Sequence, residues 1–316
     1  MAPRESFVGV MKQTSPMSAV ARSRRAPPMI AASLLAMGLT GCTSGILDPA
    51  GPIGRSERII LLDTLAIMLA IVVPAIVAAL AVAWWFRASN TRALYRPDWS
   101  YSGTLELIVW SIPLMVVLFL GGIGWVSSHD LDPAKPISSS IRPLEVEVVS
   151  LDWKWLFIYP DEGIASVNRL VIPAHVPVHF RLTSATVMNS FFVPQLGSQI
   201  YTMAGMTTQL NLEADEPGTY PGISAQFSGA GFSGMNFAVV AVSPGQFAGW
   251  ISATRSSGAA LDSGAYARLA KPSQNNPAAT YRQVPPHLFE TIVSQSAPGS
   301  MTARTAPPAA QPARGN

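Results

Sequence analysis

The sequence is short of two things on which soluble proteins of its length rely. Only 12% of its 316 residues are charged while 49% are hydrophobic, against roughly 25% charged in an ordinary globular chain. Part of it therefore belongs in lipid. It also has a single cysteine, which excludes a disulfide framework and any metal site built on paired thiolates, because each needs two thiols in one chain. Basic charge outside the leader is scarce as well. Five of the 21 Lys and Arg (Arg4, Lys12, Arg22, Arg24, Arg25) and one of the 18 acids (Glu5) precede residue 42, leaving 16 bases and 17 acids beyond it. The net +3 thus belongs to the leader, and a nucleic-acid partner, which needs a basic face on a folded domain, is excluded.

What is present begins with that leader. Arg22, Arg24 and Arg25 precede an apolar run from Met29 to Leu39, the charged and hydrophobic regions of a secretory signal too short to span a bilayer. Leu39-Thr40-Gly41-Cys42 follows and resembles the lipobox of bacterial lipoproteins. Cleavage there makes Cys42 the mature N-terminus and its thiol the acceptor of a lipid, the alternative being a cysteine merely tolerated in a signal-like helix. Met11, Met17 and Met29 are further possible starts.

Two long apolar runs come next. Thr64 to Phe86 carries no charge, and at ~1.5 Å per residue it is long enough to cross a ~30 Å hydrocarbon layer. Pro74 inside it is read as a kink rather than a break, and Trp84 and Trp85 fall where an interfacial aromatic belt belongs. Leu107 to Val126 is the second run, with Trp110 and Trp125 towards its ends and Gly121, Gly122 and Gly124 allowing another helix to approach closely. Between them Arg87, Arg92 and Arg96 outnumber Asp98 and Glu106, which places this loop in the cytoplasm and both flanks outside. Asp63 reads as an interfacial charge or a pair to a partner subunit.

After a Pro- and Ser-rich linker the pattern changes to short alternating runs at Leu144 to Val148, Val176 to Leu182, Thr208 to Leu212 and Asn236 to Val242. Period-two alternation broken by Pro and Gly predicts half-buried strands of a sandwich or small barrel. The domain order expected is a signal peptide over 1–41, a lipidated segment over 42–58 and a transmembrane hairpin over 59–127 with spans of about 59–86 and 107–126. A linker over 128–143, an all-β domain over 144–243, a separate aromatic-rich helical segment over 244–293 and a disordered tail over 294–316 follow.

Several separated motifs carry a family resemblance. The two spans, Thr104-Leu105-Glu106-Leu107-Ile108-Val109-Trp110, Asp152-Trp153-Lys154-Trp155 and the run from Val187 to Gly205 resemble subunit II of the haem–copper oxidases. The lipobox together with Asp-Trp-Lys-Trp-Leu-Phe-Ile-Tyr resembles the cytochrome bo-type ubiquinol oxidase branch. The resemblance implies membrane helices followed by a cupredoxin-like Greek-key β-sandwich and a short C-terminal helical segment. Copper-bearing members hold a binuclear centre on two thiolates, two imidazoles, a thioether and a carbonyl, because soft sulfur and imidazole suit a copper pair. Aligned by the family motifs, those positions are here Asn189, Ser224, Gln226, Ser228, Phe232 and Met235, of which only Met235 is retained. A serine hydroxyl stays protonated at neutral pH and cannot bridge two coppers. The resemblance therefore implies a chain with no cofactor of its own and a hydrogen-bonded polar patch where the metal would be.

By the same resemblance the chain serves a proton-translocating complex of the bacterial inner membrane. That complex oxidises ubiquinol and reduces O2 to water, with haems and copper in subunit I, small subunits III and IV as further partners, and no obligatory cytochrome c. Glu106 matches the family carboxylate at the mouth of a proton pathway, while by position it also reads as an interfacial Glu at a helix N-terminus. Trp153 and Trp155 read as domain core and interface to subunit I. His175 and His179, taken as i and i+4 on one strand face, read as solvated strand histidines rather than metal ligands, and His129 and His287 have no evident partners. The competing readings are a copper-bearing cytochrome c oxidase subunit II and a non-enzymatic lipoprotein scaffold.

Overall fold

The computed structural model describes residues 45–94 and 96–297; Cys42, the signal region and the residues after 297 lie outside it. Two helices, α1 (Pro52–Trp85) and α2 (Gly103–Asp130), are long and apolar enough to cross a membrane. α1 starts seven residues before its expected span and ends at Trp85, while α2 runs past its expected span at both ends, since polar turns there continue the helix beyond the hydrocarbon-length core. α1 passes through Pro74 and α2 through Pro113 without ending, as apolar surroundings favour keeping every other backbone hydrogen bond.

The N-terminal end of α1 is welded to the β-domain. Ala50 N donates to Gln195 O at 2.7 Å, Gly54 N to Leu196 O at 3.1 Å and Asp215 N to Ala50 O at 2.8 Å. Arg55 pairs with Asp215, and Ser198 donates to Glu57. Any side chain at Gly51 would overlap the carbonyl of Glu213, so the close approach itself requires glycine there.

The β-domain is a sandwich of two sheets. One runs β11 (Ala259–Ala260), β12 (Ala279–Gln283), β3, β2, β1, β5 and β8 (Thr208–Leu212), and the other β4 (Arg169–Pro173), β10, β9, β6 and β7 (Ile200–Thr202). The strands that matter below are β1 (Leu144–Leu151), β2 (Lys154–Tyr159), β3 (Ile164–Val167), β5 (Val178–Ser184), β6 (Asn189–Phe192), β9 (Gly218–Ser224) and β10 (Asn236–Val242). β1 pairs antiparallel with β2 and parallel with β5. Between the sheets lie Val146, Val148, Trp155, Phe157, Phe180, Phe191 and Phe237, with Phe191 and Phe237 stacked at 4.9 Å. Burying each such side chain stabilises the fold by about 1.5–3 kcal/mol.

The residues after β10 form a second core instead of a separate unit. Helix α3 (Pro244–Ser257), β11 (Ala259–Ala260), α4 (Ser263–Leu269), β12 (Ala279–Gln283) and α5 (Leu288–Ser296) follow in order. β12 pairs with β3, Ala279 opposite Val167, while Leu261, Leu288, Phe289 and Ile292 cover Val149, Leu151, Leu156 and Ile158. The segment from 244 therefore packs on the chain's own sandwich. This packing also explains why β2 is buried at every position: Trp155, Phe157 and Tyr159 face one core, Leu156 and Ile158 the other. The expected tail boundary at 294 is corrected, because α5 continues through Ser296.

The second core closes over a charged cluster. Arg181 Nη1 donates to Glu147 Oε1 at 2.8 Å and to Glu290 Oε1 at 3.1 Å, and its guanidinium lies 4.9 Å from the Phe289 ring centroid. Burial, reinforced by Glu290 and opposed by Arg181, raises the Glu147 carboxyl from 4.5 to about 7. The folded state then binds this proton more tightly than the unfolded chain does, so its contribution is complete below about pH 4.5 and is lost as pH rises through about 7. Thermal unfolding followed between pH 4.5 and 7.5 is expected to show stability falling with pH by roughly 1–3 kcal/mol from this group. Glu147→Gln should flatten that slope; an unchanged slope in the variant would remove Glu147 as its source.

Candidate functional site

The six positions matched to copper ligands gather at one end of the sandwich, where β6, β9 and the loop from β9 to β10 meet. Asn189 opens β6 and Ser224 closes β9, and the two strands pair with Phe191 opposite Ser224. Both side chains are buried. Ser224 Oγ donates to Asn189 Oδ1 at 3.2 Å and lies 3.4 Å from Gln226 O, while Asn189 Nδ2 donates to Val187 O at 3.1 Å. Ser224 N donates to Met235 O and Ala225 N to Ser190 O, so the two ends of the loop are tied to each other and to β6.

Within the loop, Gly229 takes φ +102°, a conformation that favours glycine. A 3₁₀ turn over Phe232–Gly234 follows. Met235 is buried, and Phe232 packs edge-on against Phe227 at 5.6 Å. The Ser228 main-chain carbonyl accepts the Trp153 indole N–H at 3.0 Å. The buried Ser228 Oγ and Trp155 Nε1 have no hydrogen-bond partner among the described residues.

This donor set does not fit a binuclear copper centre. It offers two hydroxyls, two amides, a phenyl ring and one thioether, and the Asn189 amide oxygen is already engaged by Ser224. Copper pairs of this kind need thiolate bridges and imidazole nitrogen. The arrangement can satisfy buried polar groups and hold a loop; it has no group to carry an electron. Asn189, Ser224 and the Gln226 main-chain carbonyl form a hydrogen-bonded polar group, and the Ser228 hydroxyl stands outside it.

The other sequence candidates are dispersed. Glu106 lies in the first turn of α2, exposed, at the end away from the sandwich, ~36 Å along the helix from Asp130. Asp63 is exposed on α1. Trp155 is fully buried in the core and Trp153 is half-buried against the loop. His175 corrects the expectation of a strand pair: it sits in an exposed turn at φ +60°, so only His179 is on β5, where Nδ1 lies 2.7 Å from Glu145 Oε2. His129 stacks on Trp125 at 4.5 Å, and His287 precedes α5 at φ +58°. Sequence reasoning passed over Lys154, whose fully buried side chain could have been flagged as a lone charge inside an aromatic strand run.

Comparison with known proteins agrees with this geometry. Residues 162–242 match the family "Cytochrome C oxidase subunit II, periplasmic domain" and residues 255–298 match "COX Aromatic Rich Motif". Two membrane-length helices, a cupredoxin-like sandwich and the aromatic-rich extension define a subunit II of the haem–copper oxidase type. The chain is 49% identical over 257 residues to the cytochrome bo(3) ubiquinol oxidase subunit 2 of Pseudomonas putida, covering 81% of this chain and 82% of that one. It is 48% identical to the ubiquinol oxidase subunit 2 of Acetobacter aceti, covering 81% and 84%. It is 35% identical to the quinol oxidase subunit 2 of Bacillus cereus, covering 76% and 85%. The chain belongs to the cytochrome bo(3) ubiquinol oxidase subunit 2 family.

If Asn189 and Ser224 act as a bonded pair, a double-mutant cycle with Asn189→Ala and Ser224→Ala should show a coupling of about 1 kcal/mol in thermal unfolding. Strictly additive losses would mean that their contact contributes nothing.

Proposed function

We propose that this chain is the docking and assembly subunit of a proton-translocating ubiquinol oxidase and carries no redox centre itself. The observation that carries the reading is the hydrogen bonding of Asn189 with Ser224 at positions where copper-bearing relatives place imidazole and thiolate. Reducing equivalents then bypass the sandwich. Ubiquinol is soluble in the bilayer and delivers electrons to haem in subunit I, where haem and copper reduce O2 to water; subunits III and IV complete the assembly.

The remaining features fit that role. The excess of Arg87, Arg92 and Arg96 between the helices supports a cytoplasmic hairpin turn and a periplasmic sandwich. Cys42 then lies on the outer side, where a lipid on its thiol would add a second hold on the inner membrane beside the two spans. Exposed Val187, Met188 and Phe227 at the loop end of the sandwich form an apolar rim suited to a partner protein, which we assign to subunit I. Glu106, at the cytoplasmic end of α2, supplies a carboxylate at the entrance of a proton pathway into that subunit. A carboxylate there concentrates protons beside a low-dielectric path, which a solvated interfacial Glu facing away from the partner could not do.

Two measurements test this. Oxygen uptake by the purified complex should be driven by ubiquinol and not by reduced cytochrome c; the reverse preference would favour a copper-bearing cytochrome c oxidase subunit. Glu106→Gln should lower ubiquinol oxidase turnover severalfold while subunit content stays unchanged, with Glu106→Asp retaining part of the rate. Wild-type turnover in a fully assembled Glu106→Gln complex would reject the proton-entrance role.

A further inference from the structure

The loop from Ser224 to Met235 is built almost entirely of Gly, Ser and Ala with two phenylalanines. Such a segment has large conformational entropy and little side-chain volume with which to fix itself. A metal ion bound to both ends of a loop would supply that restraint, yet this loop lacks the donors. Something else must hold it.

The contacts name the restraint. On one side stands Trp153, between β1 and β2, a non-glycine residue at φ +60°, a conformation that persists only where the surroundings enforce it. Its indole N–H donates to Ser228 O at 3.0 Å, and its ring lies so close over Gly231 that any Cβ there would overlap it. On the other side stand Gln274 and Asn275. A Cβ placed on Gly231 would be 2.8 Å from Gln274 Cγ, and one on Gly234 would be 2.7 Å from Asn275 Oδ1. The loop is thus gripped between Trp153 and residues 274–275, and its glycines sit at the points of grip.

The outer jaw is itself fastened to the sandwich. Lys154, 1% exposed, donates from Nζ to Lys271 O at 2.8 Å and to Asp152 O at 3.2 Å. Neither partner is a carboxylate, so a buried ammonium is spent on two main-chain carbonyls, one of them 117 positions away. Asn168, at φ +55°, accepts Trp155 N on Oδ1 at 2.9 Å and donates from Nδ2 to Asn276 O at 2.9 Å. Ser273 and Asn276 close the segment on itself through bonds of 3.0 and 2.9 Å. Both fasteners start from β2 or its immediate neighbour, the strand buried between the two cores.

We infer that residues 271–276, fastened by Lys154 and Asn168, brace the 224–235 loop in place of a metal ion and so position the Phe227–Phe232 pair at the surface that meets the large subunit. The inference rests on the reading above that the loop holds no copper. It gives the aromatic-rich extension a role beyond its core: it substitutes packing and hydrogen bonds for coordination.

Hydrogen–deuterium exchange on the full oxidase complex tests it. Gln274→Ala with Asn275→Gly removes the outer jaw at the surface without touching a buried group, and Lys154→Met removes the fastener while keeping most of the volume. Each should raise exchange of peptides covering 224–235 by about tenfold or more, leave strand peptides around 146–150 unchanged, and lower the temperature at which subunits separate. Faster exchange at 271–276 with no change at 224–235 would overturn the inference, and the surface variant decides the matter if Lys154→Met does not assemble. Wild-type complex treated with a copper chelator under conditions that leave the copper of subunit I in place should show no loosening of 224–235. Loosening by the chelator would overturn the copper-free reading along with the brace, whereas an unresponsive loop in both variants and chelator would overturn the brace alone.

Discussion

A hydroxyl cannot do the work of a thiolate, and the proposed role of this molecule follows from that difference. Ser224 and Ser228 stay protonated near neutral pH, so the end of the sandwich that could hold a soft metal is organised by hydrogen bonds instead. Asn189 and Ser224 satisfy one another, the Trp153 indole takes the Ser228 carbonyl, and Met235 is left as an ordinary core residue. A site arranged in this way is inert towards electrons. It leaves the sandwich the task of shape and contact.

The chain is tied to that sandwich from both directions. At the N-terminal side the segment around Gly51 pairs its backbone with Gln195, Leu196 and Asp215, which sets the β-domain directly on the N-terminal end of α1. At the C-terminal side the residues after Val242 return across the outer face of the first sheet, adding β12 beside β3 and burying Phe289 against Val149 and Leu156. Such double anchorage favours a rigid platform above the bilayer over a freely swinging domain. Arg181 adds to the C-terminal anchorage, since it joins Glu147 of β1 to Glu290 of α5 over the Phe289 ring.

Much of this was legible in the residues, and the exceptions have physical causes. The two spans announced themselves as uncharged runs, and Asn236–Val242 is a strand with the bounds its alternation predicts. The lack of thiolate and imidazole at the aligned positions could be read because identity of donor atoms is a sequence property. Placement was harder. Ala259–Ala260 and Ala279–Gln283 are short edge strands whose pairing depends on partners far away in sequence, so the extension read as a separate unit. The spacing of His175 and His179 could not show that His175 turns out of the strand while His179 stays in it. Glu147 within Leu-Glu-Val-Glu-Val looked like the solvent face of a half-buried strand, and only the second core reveals why it is covered. Lys154 is the same case from the opposite charge: nothing local marks that its partner is the carbonyl of Lys271.

Native mass measurement of this subunit, released from the purified oxidase without denaturation, tests the central claim most directly. The account predicts a mass with no bound metal, and no copper signal in its paramagnetic resonance spectrum after oxidation. A mass larger by two copper ions, accompanied by the spectrum of a mixed-valence pair, would contradict it.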